Sequence, residues 1–382
     1  MRETRLPDPP PRAALVPAAA FVLALALGLA AGGVSLWRAP AQAWQGIGAP
    51  ESLASGESGA RLSRLLNDHF APRDAFNRLE RGVSWVLLGD LGPRVRGGCP
   101  GWLFLKDEFD VHPDPEGASA LRADLAARVA ERLAARGVRL LVVVVPDKSR
   151  IEREHLCGLR RAARFEGRVA GWVARLEARG VGALDLTGVL ARLPGERYYR
   201  TDSHWNEEGA RASAQAIAGT LRERGLAQAG PAPGPLASER VARQGDLVRV
   251  AGLDGLPGGI GPGVESVLHF TVPAPEAASD DLFGEAGAPK VAVVGSSFSR
   301  SANFVPFLAR ALGELVANAA REGADFDGAA RAYLEGATLR DTPPRVVVWE
   351  VPERAIEMPA KPAERQWLES LAGSPARKET PP

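Results

Sequence analysis

The chain has 382 residues, 45% apolar and 24% charged, with a net charge of +1, enough for one large or two modest domains with a sizeable core. Its 47 basic and 46 acidic residues are interspersed, so no basic stripe points to a nucleic acid partner. The 42 glycines and 31 prolines form no repeat and sit mostly in connecting segments, which reads as ordered domains joined by loops.

Residues 13–37 contain no charged side chain. At about 1.5 Å per residue a helix of that length exceeds the roughly 30 Å hydrocarbon core of a bilayer. Arg2, Arg5 and Arg12 precede the run and only Arg38 closely follows it. That bias predicts a signal anchor with residues 1–12 in the cytoplasm, a single span through the inner membrane, and everything beyond it exported to the periplasm. A cleaved signal peptide, cut near Gly28-Leu29-Ala30, is the competing reading. Residues 38–59, rich in Ala, Gly, Pro, Ser and Gln, read as a linker.

Leu62, Leu65, Leu66 and Phe70 recur at helical spacing, and Phe76, Leu79 and Val83 continue the pattern toward Trp85-Leu88. Gly101-Leu105 reads as a short strand. From residue 119 the pattern is α/β: a helix to 136, a β-branched strand at Leu140-Val145 closed by Pro146, a helix over 161–179, and a strand at 183–186. Asn206 is a good N-cap for a helix over 207–224. A Pro/Gly-rich insertion at 227–289, with a strand near 264–272, interrupts the alternation before strands at Val291-Val294 and Val346-Trp349. Such alternation argues for a three-layer parallel sheet. Residues 362–382 are polar and contain proline, and read as a disordered tail.

Cys99 and Cys157 are the only cysteines. Export permits a disulfide between them, stabilising by roughly 4 kcal/mol in the chain-entropy model. Two free thiols are the alternative.

Two short motifs carry chemistry. Thr201-Asp202-Ser203-His204-Trp205 puts a carboxylate two residues from an imidazole. Val291-Val294 followed by Gly295-Ser296-Ser297-Phe298-Ser299 runs a strand into a turn of the kind that presents a serine hydroxyl at a sheet edge. Together they can form a Ser-His-Asp triad. Each also has a plainer account: a turn-forming Asp202, a helix-entry His204, a core Trp205, and a turn whose Ser299 caps the next helix. Two such motifs beside strand ends of one α/β sheet, where these folds place their sites, favour the joint reading. Lys148, just past a strand end, is a further candidate or a surface lysine. The Asp68-His69 pair reads as a solvated helix face. His112, His155 and His269 lack partners at ligand spacing apart from Cys157 near His155, so no metal site is expected.

Asp-x-His-Trp before a helix, a later Gly-x-Ser-Phe-Ser, and Trp349-Glu350-Val351-Pro352-Glu353-Arg354 resemble the alginate O-acetyltransferase family (AlgJ/AlgX-like), which has an SGNH-hydrolase-like domain. Residues 67–74, Gly101-Phe104 and Pro146-Lys148 resemble further landmarks of that family, so the resemblance spans about 60–356 and predicts one domain over 60–361. It implies Asp202 as acid, His204 as base and Ser297 as nucleophile, an order permuted relative to ordinary SGNH esterases, with Ser296 as a competing nucleophile. The hypothesis is acyl-serine acetyl transfer to an exopolysaccharide hydroxyl without a cofactor. Gly295–Ser297 backbone N–H groups, with Asn303 and Lys148 nearby, would hold the oxyanion or substrate. The resemblance also implies a multipass membrane O-acyltransferase as donor. Length and anchor look more like the AlgJ type, without the carbohydrate-binding module of AlgX-like members. An acetylesterase using the same triad and a non-catalytic scaffold of a polysaccharide export complex are the alternative functions.

Overall fold

The computed structural model describes residues 12–228, 234–257, 259–273 and 288–373. Arg2 and Arg5, part of the insertion, and tail residues 374–382 lie outside them. The chain divides into two compact units, Met1–Asp90 and Leu91–Pro382. The second unit thus starts at Leu91 rather than at residue 60, because helices Glu57–His69 and Arg73–Leu88 cluster with the N-terminal unit.

In the first unit, helix Arg12–Arg38 contains the apolar stretch Val16–Arg38, long and apolar enough to cross a membrane. The segment expected as a free linker is partly folded. It carries a short helix at Pro50–Ala54, and its buried Ser52 and Ser58 hydroxyls meet at 3.0 Å, with Ser58 also donating to the Ile47 carbonyl. Composition alone reads such a stretch as flexible because hydroxyl-to-backbone bonds have no periodicity.

Among its described residues the second unit has nine strands. β1 (Val95–Gly97) and β2 (Leu103–Leu105) form a small antiparallel pair. β3 (Arg139–Val145), β4 (Gly182–Asp185), β7 (Val291–Val294), β8 (Val316–Asn318) and β9 (Val346–Pro352) form one parallel sheet in the order β4-β3-β9-β7-β8. β5 (Ser238–Arg243) and β6 (Glu265–Phe270) pair antiparallel inside the Pro/Gly-rich insertion.

The sheet is covered on both faces, and the strands' alternation explains why. Val142, Val144, Ala292, Val294, Val347 and Trp349 point to one side, where helices Pro115–Ala134, Arg168–Glu177 and Pro362–Gly373 pack. Leu141, Val143, Val291, Val293, Val346 and Val348 point to the other, against helices Glu207–Glu223 and Phe304–Leu312. The central runs Leu141–Val145, Val291–Val294 and Val346–Trp349 are therefore apolar at every position, the pattern of a parallel sheet buried on both faces.

Two further expectations need correction. The helix expected from residue 161 begins only at Arg168, because the preceding segment turns to bring Arg161 onto Asp147 and Glu353. The segment from Pro362 to Gly373 is a helix and not a disordered tail. Its Trp367 is buried in the core, and Glu364 forms a buried ion pair with Arg122 at 2.9 Å. Its polarity misled because the glutamate's partner lies far away in sequence.

Candidate active site

Parallel sheets leave their loops at the carboxyl ends of the strands. β3, β7 and β9 are neighbours there, so the segments after Val145, Val294 and Pro352 share one edge of the sheet. After β7 the chain passes Gly295 and Ser296 into a short 3-10 turn, Ser297–Arg300. Gly295 is required: a Cβ there would meet Glu350 Oε2 at 2.6 Å and Glu350 Cβ at 2.8 Å. Glu350, on β9 and almost wholly buried, accepts the Ser296 N–H at 2.8 Å and the Ser296 and Ser299 hydroxyls at 2.9 Å each. Burial raises its pKa above the usual carboxylate range, against the lowering effect of these donors.

Ser297 is thereby left as the serine that faces outward. Its Oγ stands 2.7 Å from Nε2 of His204, and Nδ1 of His204 stands 2.7 Å from Oδ1 of Asp202. The His204 N–H also donates to that oxygen at 3.0 Å. The other Asp202 oxygen accepts from Arg243 at 2.8 Å and from the Asp246 N–H at 3.1 Å. Burial works to raise the pKa of Asp202, but its bonds to His204 and Arg243 outweigh it and hold the carboxyl far below its usual range. An ionised Asp202 fixes the proton on Nδ1, which leaves Nε2 to accept from the Ser297 hydroxyl.

The loop carrying Asp202 and His204 is clamped from several sides. Asp246 accepts the Ser203 N–H and hydroxyl, each at 2.7 Å. Glu265 on β6 accepts from the Thr201 hydroxyl at 2.6 Å and the Thr201 N–H at 3.0 Å. Gly245 packs so closely that a Cβ would lie 2.2 Å from the Thr201 carbonyl carbon. Phe298 sets its ring edge-on to His204 with centroids 5.0 Å apart. Trp205 is fully buried against Phe298 and Phe304 as a core residue.

The remaining candidates separate from this cluster. Lys148 is fully buried, and its ammonium donates to the carbonyls of Leu103, Arg200 and Asp202 at 2.6, 2.8 and 2.9 Å. It is a brace under the loop and not a substrate contact; burial pushes its pKa down to about 8. The Asn303 side-chain amide donates to the Phe270 carbonyl at 3.1 Å. Ser296 is turned onto Glu350. Cys99 and Cys157 form a disulfide with Cα atoms 5.1 Å apart. Among the described residues, two groups could in principle hold a cation, Glu152-Glu154-His155 and Asp202-His204-Asp246. Arg197 already sits on the first pair of carboxylates, and Arg243 and backbone N–H groups fill the second.

Sequence reading missed Arg243, Asp246, Glu265 and the role of Glu350. It also missed the platform beneath the site, where buried Asp147 and Glu353 join the ends of β3 and β9. Glu353 accepts from Asp147 N–H at 2.9 Å, and Asp147 accepts from Arg354 N–H at 3.1 Å. Arg150, Arg161 and Arg168 converge on these two carboxylates.

A doubly covered parallel sheet with a serine, a histidine and a carboxylate at its carboxyl edge defines an SGNH-hydrolase-like protein. The family model described as SGNH hydrolase-like domain, acetyltransferase AlgX, matches residues 95–353. The chain belongs to this family of acetyltransferases. It is 31% identical over 339 residues to the probable alginate O-acetylase AlgJ of Pseudomonas aeruginosa, covering 84% of this chain and 86% of that one. To the alginate biosynthesis protein AlgX of the same species it is 30% identical over 270 residues, covering 65% of this chain and 53% of that one. The solved O-acetyltransferase domain of Pseudomonas putida AlgJ superposes with a TM-score of 0.61 at 28% identity, covering 73% of this chain and 99% of that domain.

Proposed function

We propose that this chain transfers acetyl groups to hydroxyls of an exopolysaccharide of the alginate kind, through an acetylated Ser297. The observation that carries this reading is the unbroken relay from Asp202 through His204 to Ser297, with both links at 2.7 Å. His204 takes the Ser297 proton on Nε2 as Oγ attacks the acetyl carbonyl of the donor. The tetrahedral intermediate collapses and the donor's leaving group departs with that proton. A sugar hydroxyl then gives its proton to Nε2 and attacks the acetyl-serine carbonyl, and Ser297 leaves, recovering the proton. The Ser297 N–H, first of its helical turn and so without an intrahelical acceptor, supplies an oxyanion donor. The Phe298 N–H is occupied by the Ser296 hydroxyl.

The apolar first helix supports attachment to the inner membrane, with the catalytic unit in the periplasm. The Cys99–Cys157 bridge supports an oxidising compartment. An acetyl donor made in the cytoplasm must then be carried across the membrane, which fits a multipass membrane O-acyltransferase as partner.

The test uses the full chain in detergent with a chromogenic acetyl ester, with and without deacetylated alginate oligomers. Acetyl on the oligomers and on the Ser297 peptide is the expected result. Acetate release indifferent to the acceptor would make the chain an esterase. Unchanged polymer acetylation in cells carrying Ser297→Ala would make it a scaffold.

A further inference from the structure

Large apolar side chains left exposed are unevenly distributed. Among the described residues from Leu91 onward they are Val111, Ile260, Val264 and Leu315. The first unit exposes many more, and not only on the apolar helix. Helix Arg73–Leu88 leaves Phe76, Leu79, Val83, Val86 and Leu87 between 47% and 73% exposed. At 3.6 residues per turn these five fall within an arc of roughly 100°. Asp74, Arg78 and Arg81 lie on the opposite side. A stripe of this width normally faces a protein core, yet here it is bare.

What covers it follows from where this helix starts. The Ser35 hydroxyl, in the last turn of helix Arg12–Arg38, accepts the Ala71 N–H at 3.0 Å. Ser35 is 4% exposed, so the turn before Arg73 is fastened to that point of the first helix. The first helix has 27 residues and is therefore about 40 Å long, against a hydrocarbon core of roughly 30 Å. Its last turns stand in the headgroup layer, and Ala71 is held there with them. Trp37 is 84% exposed and Trp44 41%, the placement indole rings favour at a membrane interface. A groove of about 730 Å³ runs between Gly28, Gly32 and Leu36 of the first helix and, on the other side, Leu66 of helix Glu57–His69 and Phe70 just after it. In water both the stripe and this groove would be unfavourable; in a bilayer, acyl chains fill them.

We infer that helix Arg73–Leu88 is an in-plane membrane helix, its Phe76–Leu87 stripe seated among lipid acyl chains at the periplasmic interface. From the proposed function this takes the reading that the first helix spans the bilayer; the consequence drawn for the catalytic unit also takes the membrane-bound acetyl donor. The role is distinct from anchoring, which the first helix accomplishes. It holds the exit from the membrane at a fixed depth, so that the catalytic unit starts close to a lipid-embedded donor.

The test uses the full chain in nanodiscs of phosphatidylcholine and phosphatidylglycerol. The native cysteines are paired, so single cysteines at Leu25, Leu79, Val83 and Arg78 take an environment-sensitive fluorophore selectively. Labels at Leu79 and Val83 should be quenched by lipids carrying a nitroxide near the headgroup and spared by aqueous iodide, with the reverse at Arg78. Quenching of the Leu79 and Val83 labels by iodide, or shielding from both quenchers as under a protein surface, overturns the inference while a Leu25 label quenched by lipids carrying a nitroxide deep in the acyl chain keeps the span. A Leu25 label reached by iodide overturns both.

Discussion

Oδ2 of Asp246 lies 3.7 Å from Nδ1 of His204, the same nitrogen that bonds Asp202 at 2.7 Å. A second carboxylate thus stands beside the relay without being part of it, and it is anchored by both donors of Ser203. Burial and then the charge of Asp202 raise its pKa.

Asp246→Ala removes the Ser203 clamp and frees the loop that aims His204. Misplacement of a catalytic group by about 1 Å can cost on the order of 10²-fold in rate. The expected result is a fall in kcat of that order with KM little changed, since nothing that holds the acetyl ester is altered. Ser203→Ala should show a smaller loss, and the double variant no more than Asp246→Ala alone, because both act through one clamp. Steady-state kinetics on an acetyl ester decides this; a selective rise in KM would assign Asp246 to substrate binding instead.

Ser296 and Ser297 are adjacent but held for different purposes. Ser297→Ala should abolish acylation and lower turnover by about 10⁴-fold or more. Ser296→Ala should leave the Ser297 peptide acetylated, as read by mass spectrometry. It should also destabilise the fold by about 1–3 kcal/mol in urea, because buried Glu350 loses a hydroxyl donor. Acetyl found on Ser296 in the Ser297→Ala protein would reverse the assignment.

How much of this was legible in sequence depends on how local each signal is. β3, β7 and β9 announce themselves because strands covered on both faces need unbroken apolar runs, and Val142 and Trp349, neighbours in the sheet, each sit in one. Asp202 and His204 are legible because their bond closes over two residues. Arg243, Asp246 and Glu265 are not: they approach the same loop from the Pro/Gly-rich insertion, 41 to 64 residues away, and no spacing rule links them to it. Glu364 misleads in the opposite direction. Its charge suggests solvent, and only the fold reveals Arg122 opposite it.

The carboxylates under the site predict how acid unfolds the protein. Burial would raise the pKa of Glu353, but Arg150, Arg161 and Arg168 outweigh it and bring it down to about 2. A carboxylate depressed in the fold contributes stability that is complete above its unfolded pKa of about 4.3 and is lost as pH falls toward the folded value. Asp147, raised by burial and by Glu353, contributes with the opposite sign and blunts the slope. The urea midpoint should therefore fall between pH 5 and pH 3, working limits that bracket about 4.3. Glu353→Gln should be less stable at pH 7 by about 3–5 kcal/mol and show a flatter acid limb. An acid limb as steep as that of the parent would remove Glu353 as its source.

Lys148 tests whether a buried charge can serve as scaffolding for a catalytic loop. Its ammonium has three protons and meets three carbonyls, one of them that of Asp202. The rings of Trp102 and Phe104 lie 5.1 and 5.0 Å from it. Lys148→Met keeps the length of the side chain and the packing against those rings but leaves the carbonyls without donors, at about 1–3 kcal/mol for each buried acceptor, partly offset by relief of the buried charge. The variant should lose stability and, because Asp202 is loosened, turnover as well. The pH dependence separates this brace from ordinary packing. With its pKa pushed down to about 8 in the fold and near 10.4 unfolded, Lys148 binds more protons in the unfolded state between those values. Parent stability on this account rises with pH across that window, while the variant lacks the group altogether. The stability gap between the two should therefore widen from pH 8 to pH 10, limits set by those about 8 and about 10.4 values. A constant gap measured by urea unfolding would show that Lys148 keeps its unfolded pKa in the fold and that its ammonium is not held in a desolvated site.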